Sequence, residues 1–125
     1  MIARIRRATL IGMVVDFEFD GGVCILRMSG RFATGSDVEY LRGKTDELKL
    51  KGCRRIVADL TQVPYIDSTG IGFLLAIYAG IVRDPESRFA IANPNHRVRE
   101  VLSLTKLATI LPTFDDVPSA LASLR

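Results

Sequence analysis

The chain has 125 residues, 48% of them apolar and 25% charged, with a net charge of +3. That is the size and composition of one soluble domain around one core. No run approaches the ~20 apolar residues of a membrane span. The basic residues are scattered apart from Arg4, Arg6, Arg7 and the pair Arg54–Arg55, which is not the one-sided patch of a nucleic-acid binder.

The N-terminus, Arg4 to Arg7 followed by the apolar run Ala8 to Val15, loosely imitates a signal peptide. The run is short, Asp16 and Glu18 follow it, and no small-residue cleavage site stands out. Residues 1–12 are therefore expected to be a basic, disordered extension, followed by a single cytoplasmic domain over 13–125.

Met13 to Phe19 alternates as a strand, with Val15, Phe17 and Phe19 on one face and Asp16 and Glu18 on the other. Asp20-Gly21-Gly22 is a turn signal, and Val23 to Met28 completes an antiparallel hairpin. Gly30 to Gly35 is a loop. Ser36 opens a helix, with Glu39 completing a capping box. Val38, Leu41, Thr45 and Leu48 mark its buried face, and Lys51-Gly52 ends it.

Arg55 to Leu60 lacks alternation, as a central strand covered on both faces does. Gly70 to Val82 is a helix stopped by Asp84-Pro85. Arg88 to Ala92 is a strand followed by the turn Asn93-Pro94-Asn95. Val98, Val101, Leu102 and Thr105 mark a third helix. Thr109 to Leu111 is expected as an edge strand beside Pro112. Asp115 or Asp116 caps a last helix with Val117, Ala120, Leu121 and Leu124 facing inward. The order ββαβαβαβα predicts an α/β fold: a mixed sheet of four to five strands with about four helices.

Cys24 and Cys53 both lie in apolar segments. They are expected to be buried structural thiols, reduced in a cytosolic protein. There is no CxxC and no Cys/His cluster, so a metal site has no support.

The most informative stretch is Asp59 to Gly70. It reads as the end of a buried strand, a turn, then an acid and two hydroxyls opening an apolar helix. Any of Asp67, Ser68 or Thr69 suffices as the N-cap. Three such residues, followed by Gly70 and Gly72, exceed what a cap requires. Phosphate on Ser68 adds about −1.5 to −2 charges. The helix N-terminus favours it by ~0.3–1 kcal/mol while Asp67 opposes it, so the free domain is nearly indifferent. A partner packed over the same spot is not, because enclosing an unpaired charge costs several kcal/mol.

The helix after Gly70 carries no charge as far as Val82. Ile71, Leu74, Leu75, Tyr78 and Val82 form one stripe, which suffices to hold it to the sheet. Phe73, Ile77 and Ile81 form a second. Either neighbouring helices cover both, or Phe73 and Ile77 belong to a patch kept for a partner or a second copy.

Catalytic readings fail. Asp67-Ser68-Thr69-Gly70 has one residue too many for an aspartic protease and no second copy. His96 is the single histidine and has no identifiable nucleophile or orienting acid. Gly70 and Gly72 lack the Gly-Lys-Ser/Thr of a phosphate loop.

Asp59-Leu60-Thr61 through Ile66-Asp67-Ser68-Thr69-Gly70-Ile71-Gly72-Phe73-Leu74 resembles the signature of STAS domains, the bacterial anti-sigma factor antagonists. Supporting matches are Gly30-Arg31-Phe32, Gly52 and Leu104-Thr105-Lys106-Leu107. The resemblance runs from about Val14 to the C-terminus. It implies a non-enzymatic switch without a cofactor. The unphosphorylated form would bind an anti-sigma factor that is a serine kinase of the histidine-kinase ATPase type, releasing a sigma factor. A serine phosphatase would reset it. Carried over, Ser68 is the phosphoacceptor, with Thr69 a possible second. The partner surface is Gly30, Arg31, Phe32, Ala33, Thr34 and Gly35 together with Asp67, Ser68, Thr69, Gly70, Ile71, Gly72, Phe73 and Ile77. Ala33 stands where many members carry an acid, so nucleotide binding is not carried over. The alternative is an unphosphorylated accessory subunit of a lipid-transport ATPase, docked through the apolar helix.

Overall fold

A computed structural model of the chain describes residues 13–30, 37–81 and 84–124. The N-terminal extension, the loop residues Arg31, Phe32, Ala33, Thr34 and Gly35, the helix-opening Ser36 and Val82 lie outside them.

Strands β1 (Met13–Asp20) and β2 (Val23–Gly30) form the expected antiparallel hairpin. Its two-residue turn, Gly21-Gly22, has positive φ at both positions, 56° and 84°. That geometry matches the twist of the flanking strands and favours glycine. Helix α1 (Asp37–Leu50) leads to β3 (Arg55–Gln62), and α2 (Ser68–Ile81) to β4 (Arg88–Ala92). Helix α3 (His96–Leu104) and one 3-10 turn (Leu107–Thr109) precede β5 (Thr113–Phe114) and α4 (Val117–Leu124). The sheet order is β1-β2-β3-β4-β5, parallel from β2 onward.

The last strand is displaced from its expected place. Residues 107–109 coil into a 3-10 turn, and Pro112 falls before the strand rather than after it. The short apolar run there is read equally well by a turn burying Leu107 and Leu111.

Two cores follow from the alternation of the strands. On one face Val15, Leu26, Met28, Ile56, Ala58, Leu60, Phe89 and Ile91 meet Leu48 of α1, Leu74 of α2 and Leu102 of α3. On the other, Val23, Ile25, Val57, Ala90 and Ala92 pack under Ala120, Leu121 and Leu124 of α4. Strand β3 is buried on both sides, as its lack of alternation predicts.

Helix α2 settles in a phase that the sequence leaves open. Phe73 and Ile77 are 5% and 1% exposed and join the core beside Leu74. They do not form an outward patch, which corrects their assignment to a partner surface. Their burial is worth roughly 1.5–3 kcal/mol each. Ile71 and Tyr78 are half-buried at its margins. The outward face is Ser68, Gly72, Leu75, Ala76, Ala79 and Gly80, small residues apart from Leu75.

The cysteines are also corrected. Cys24 on β2 and Cys53 before β3 are joined as a disulfide, with Cα atoms 6.2 Å apart. Sequence spacing could not place two neighbouring strands' cysteines together; the parallel β2–β3 pairing does, with Cys24 opposite Ile56.

Candidate functional site

The connection from β3 to α2 stands at the C-terminal edge of the parallel strands, a usual place for sites in open α/β sheets. Val63 and Ile66 are buried anchors, 1% and 2% exposed, and Tyr65 stands out between them at 40%. The Val63 N–H donates to the Leu60 carbonyl at 3.0 Å, turning the chain out of the strand.

Asp67 is the N-cap that the sequence leaves unassigned. Its carboxylate accepts from the Gly70 N–H at 3.3 Å, and its carbonyl accepts from Ile71 N–H at 3.0 Å. Ile66 before the cap and Ile71 four residues after it join the same core, the positions of a hydrophobic staple. Ser68 is therefore the first helical residue, exposed, and its hydroxyl is spared the capping role. A hydroxyl there sits where backbone N–H groups and the helix dipole favour an anion. Gly70 is buried and Gly72 is exposed; a Cβ at Gly72 would meet nothing within 4 Å. Gly72 thus leaves a flat approach beside Ser68 on the surface.

The loop is held from behind by polar groups outside the expected site. Asn95 caps α3 by accepting from Val98 N–H at 2.9 Å. Its amide also donates to the carbonyls of Pro64 at 3.1 Å and Val63 at 3.4 Å. Asn93, at φ 52°, donates to the Thr61 hydroxyl at 3.0 Å. The Thr61 N–H donates to the Asp59 carboxylate at 3.0 Å, and the Thr61 hydroxyl joins the same oxygen. Arg27 donates to the other Asp59 oxygen at 2.8 Å and reaches Glu18 on β1. A polar ladder thus crosses the sheet from β1 to the turn after β4. Glu18, then Asp59, keeps the Arg27 guanidinium charged and its pKa above the ordinary value. On Tyr65's flank, the Arg97 guanidinium lies 5.8 Å from the ring centroid, within cation–π range.

Of the expected partner residues, Asp67, Ser68, Gly70, Ile71 and Gly72 come together at the start of α2, where Thr69 also lies. Gly30, at φ 90°, ends β2. Sequence reasoning missed Asn95, Asn93, Arg27 and Arg97. Asn95 carried a signal, since an asparagine before a helical stripe is a good N-cap; the second use of its amide had none. His96 is exposed and pairs with Glu100 at 3.2 Å. Among the described residues no His/Cys/Asp/Glu group could hold a metal, and no helix is long and apolar enough to cross a membrane.

Comparison with known proteins converges on one family. The STAS domain profile matches residues 14–120. The anti-sigma F factor antagonist of Paenibacillus polymyxa is 27% identical over 115 residues, covering 91% of this chain and 97% of that protein. The crystal structure of an anti-sigma factor antagonist from Mycobacterium paratuberculosis superposes with a TM-score of 0.81 at 22% identity, covering 90% of this chain and 94% of that one. The Bacillus cell fate determinant SpoIIAA in its phosphorylated form gives a TM-score of 0.67 at 19% identity, over 90% of this chain and 100% of that one.

Proposed function

The chain belongs to the STAS domain family, and from that premise we propose that it is an anti-sigma factor antagonist switched by phosphorylation of Ser68. The observation that carries the reading is the division of labour at the start of α2. Asp67 caps the helix and Ser68, next to it, is exposed and free of that duty. A group so placed accepts a phosphoryl group without loss of structural bonds.

The unphosphorylated face is Ser68, Gly72 and Leu75, flanked by Tyr65 and Arg97. It docks an anti-sigma factor, which releases its sigma factor. That anti-sigma factor is a serine kinase with the histidine-kinase ATPase fold, and a serine phosphatase reverses the mark. The chain itself is non-enzymatic and acts in the cytoplasm. That SpoIIAA has been solved in a phosphorylated form supports the mark. The name of the Paenibacillus relative supports the partner class.

The free domain tolerates the phosphate because the helix N-terminus favours it by ~0.3–1 kcal/mol while Asp67 repels it. The complex does not, since a partner closing over Ser68 must strip water from about two charges. A transporter-docked subunit using Phe73 and Ile77 has lost its footing, because both are core residues.

The test is a binding assay with the cognate anti-sigma factor. Ser68→Ala should bind as the unmodified chain does and Ser68→Asp should not, and incubation with the kinase and ATP should add one phosphate at Ser68. Equal binding by both variants contradicts the switch.

A further inference from the structure

At the opposite end of the sheet from Ser68, Phe19, Lys51, Arg54, Arg55 and Glu86 line a surface cavity of about 310 Å³ around Cys24 and Cys53. Its volume is at the lower end of the ~300–1,000 Å³ of small-molecule sites. Three cations face one carboxylate on this lining. Arg54 is partly engaged by Asp84 at 3.0 Å, and the Lys51 ammonium lies 5.8 Å from the Phe19 ring centroid. The two cysteines therefore meet beneath an electropositive, solvent-reachable opening, the surroundings that make thiols reactive. Cys24 is 4% exposed, whereas Cys53 is half-buried.

Cys53 also has a structural duty. Helix α1 closes with a Schellman turn: Gly52 has φ 66°, and the Cys53 N–H donates to the Leu48 carbonyl at 3.2 Å. The bond to Cys24 thus clamps the C-terminal cap of α1 onto β2. A protein that works in a reducing compartment holds such a bond only transiently.

We propose that Cys24 and Cys53 are a reversible thiol–disulfide site, entered through the basic cavity and reacting with small anionic disulfides of the glutathione class. The more accessible Cys53, as thiolate, attacks one sulfur of the small disulfide, forming a mixed disulfide and expelling the first small thiolate. Cys24, as thiolate, attacks Cys53 Sγ, closing the protein disulfide and expelling the second. The protein loses two electrons and two protons, and one small disulfide becomes two thiols. Glutathione runs the same two steps backwards. The lock acts on the α1 cap and does not depend on phosphorylation of Ser68, while its reversibility rests on the cytoplasmic setting of the proposed function.

The experiment starts from the whole chain reduced with dithiothreitol and freed of it. Oxidised glutathione and, separately, the uncharged bis(2-hydroxyethyl) disulfide are added, and acid-quenched samples are followed by intact mass and by peptic peptide mapping, which assigns the adduct to Cys53 or Cys24. The unmodified chain should pass through a single mixed disulfide on Cys53 and end as the internal disulfide. Arg55→Glu, a change at an exposed position, should slow the reaction with oxidised glutathione about three- to tenfold through reversed local charge. The lost cation also lowers the Cys53 thiolate fraction, so the uncharged disulfide should slow as well, but by a smaller factor than oxidised glutathione. Equal slowing with both probes overturns the role of the basic cavity. A bond that resists excess dithiothreitol without denaturant, or a first adduct on Cys24, overturns the reversible site.

Discussion

Asp59, in the last half of β3, and Ser68, the first residue of α2, lie on either side of one short connection, and the fold treats their polar groups in opposite ways. Asp59 is 4% exposed, with both carboxylate oxygens engaged by Arg27 and Thr61. Ser68 is exposed, and the capping that a serine there could have done is done by Asp67. A buried polar group must be satisfied or it costs stability. An exposed hydroxyl relieved of structural work is free to be modified without that cost. The connection is pinned at its strand end so that its helix end can present Ser68 in one place.

The sharpest way to break that contrast is at the inner side of α2. Ile77→Ala should cost about 2–5 kcal/mol in urea denaturation, since it empties a core position. Leu75→Ala, on the outer side and 37% exposed, should stay within about 1 kcal/mol. Near-equal costs would mean that the phase of α2 is wrong. Opening the Cys24–Cys53 bond with dithiothreitol should lower stability by about 2–4 kcal/mol, read as a lower urea midpoint.

Asp59→Asn should cost about 1–3 kcal/mol. Arg27 loses a charged partner but is 43% exposed and keeps Glu18, so water offsets part of the loss. Asn95→Ala removes the α3 cap and the hold on the Val63 and Pro64 carbonyls, for about 1–2 kcal/mol. Ser68→Ala should change stability by less than about 0.5 kcal/mol.

The smallest effect is with pH. Asp116 accepts from the Ser119 N–H at 2.8 Å, and that hydrogen bond, then the Ser119 hydroxyl, holds its pKa below the usual carboxylate value. A depressed folded-state pKa gives stability that is present above the ordinary carboxylate range and lost as pH falls through the folded value. Asp116→Asn, which keeps an accepting oxygen, should flatten that acid limb in thermal melts between pH 5 and about pH 2.

The element order was legible because hairpin glycines, capping residues and apolar periodicity agree with one another. The covering of β3 on both faces followed from Ile56, Val57 and Ala58. The phase of α2 was not legible from hydrophobicity. A helix without charges offers several apolar stripes, and Ile71-Leu74-Leu75-Tyr78 competes with Phe73-Leu74-Ile77. Residue size carries the answer: Gly72, Ala76, Ala79 and Gly80 fall on the outward side, where no core needs filling. The ladder from Glu18 to Asn93 was hidden because it joins four segments distant in sequence, and only strand register brings Arg27 opposite Asp59. The same register brings Cys24 to Cys53. The sequence leaves open which of Asp67, Ser68 and Thr69 caps α2, and the structure gives that duty to Asp67.

The most direct test of the central claim, that charge at Ser68 acts on association and leaves the fold in place, is one paired measurement on Ser68→Asp. Thermal unfolding and titration with the anti-sigma factor are run on the same preparation as the unmodified chain. The account predicts a melting temperature within about 2 °C, less than 1 kcal/mol for a domain of this size, together with binding weakened at least a hundredfold, about 2.7 kcal/mol. A large drop in melting temperature, or binding as tight as that of the unmodified chain, contradicts it.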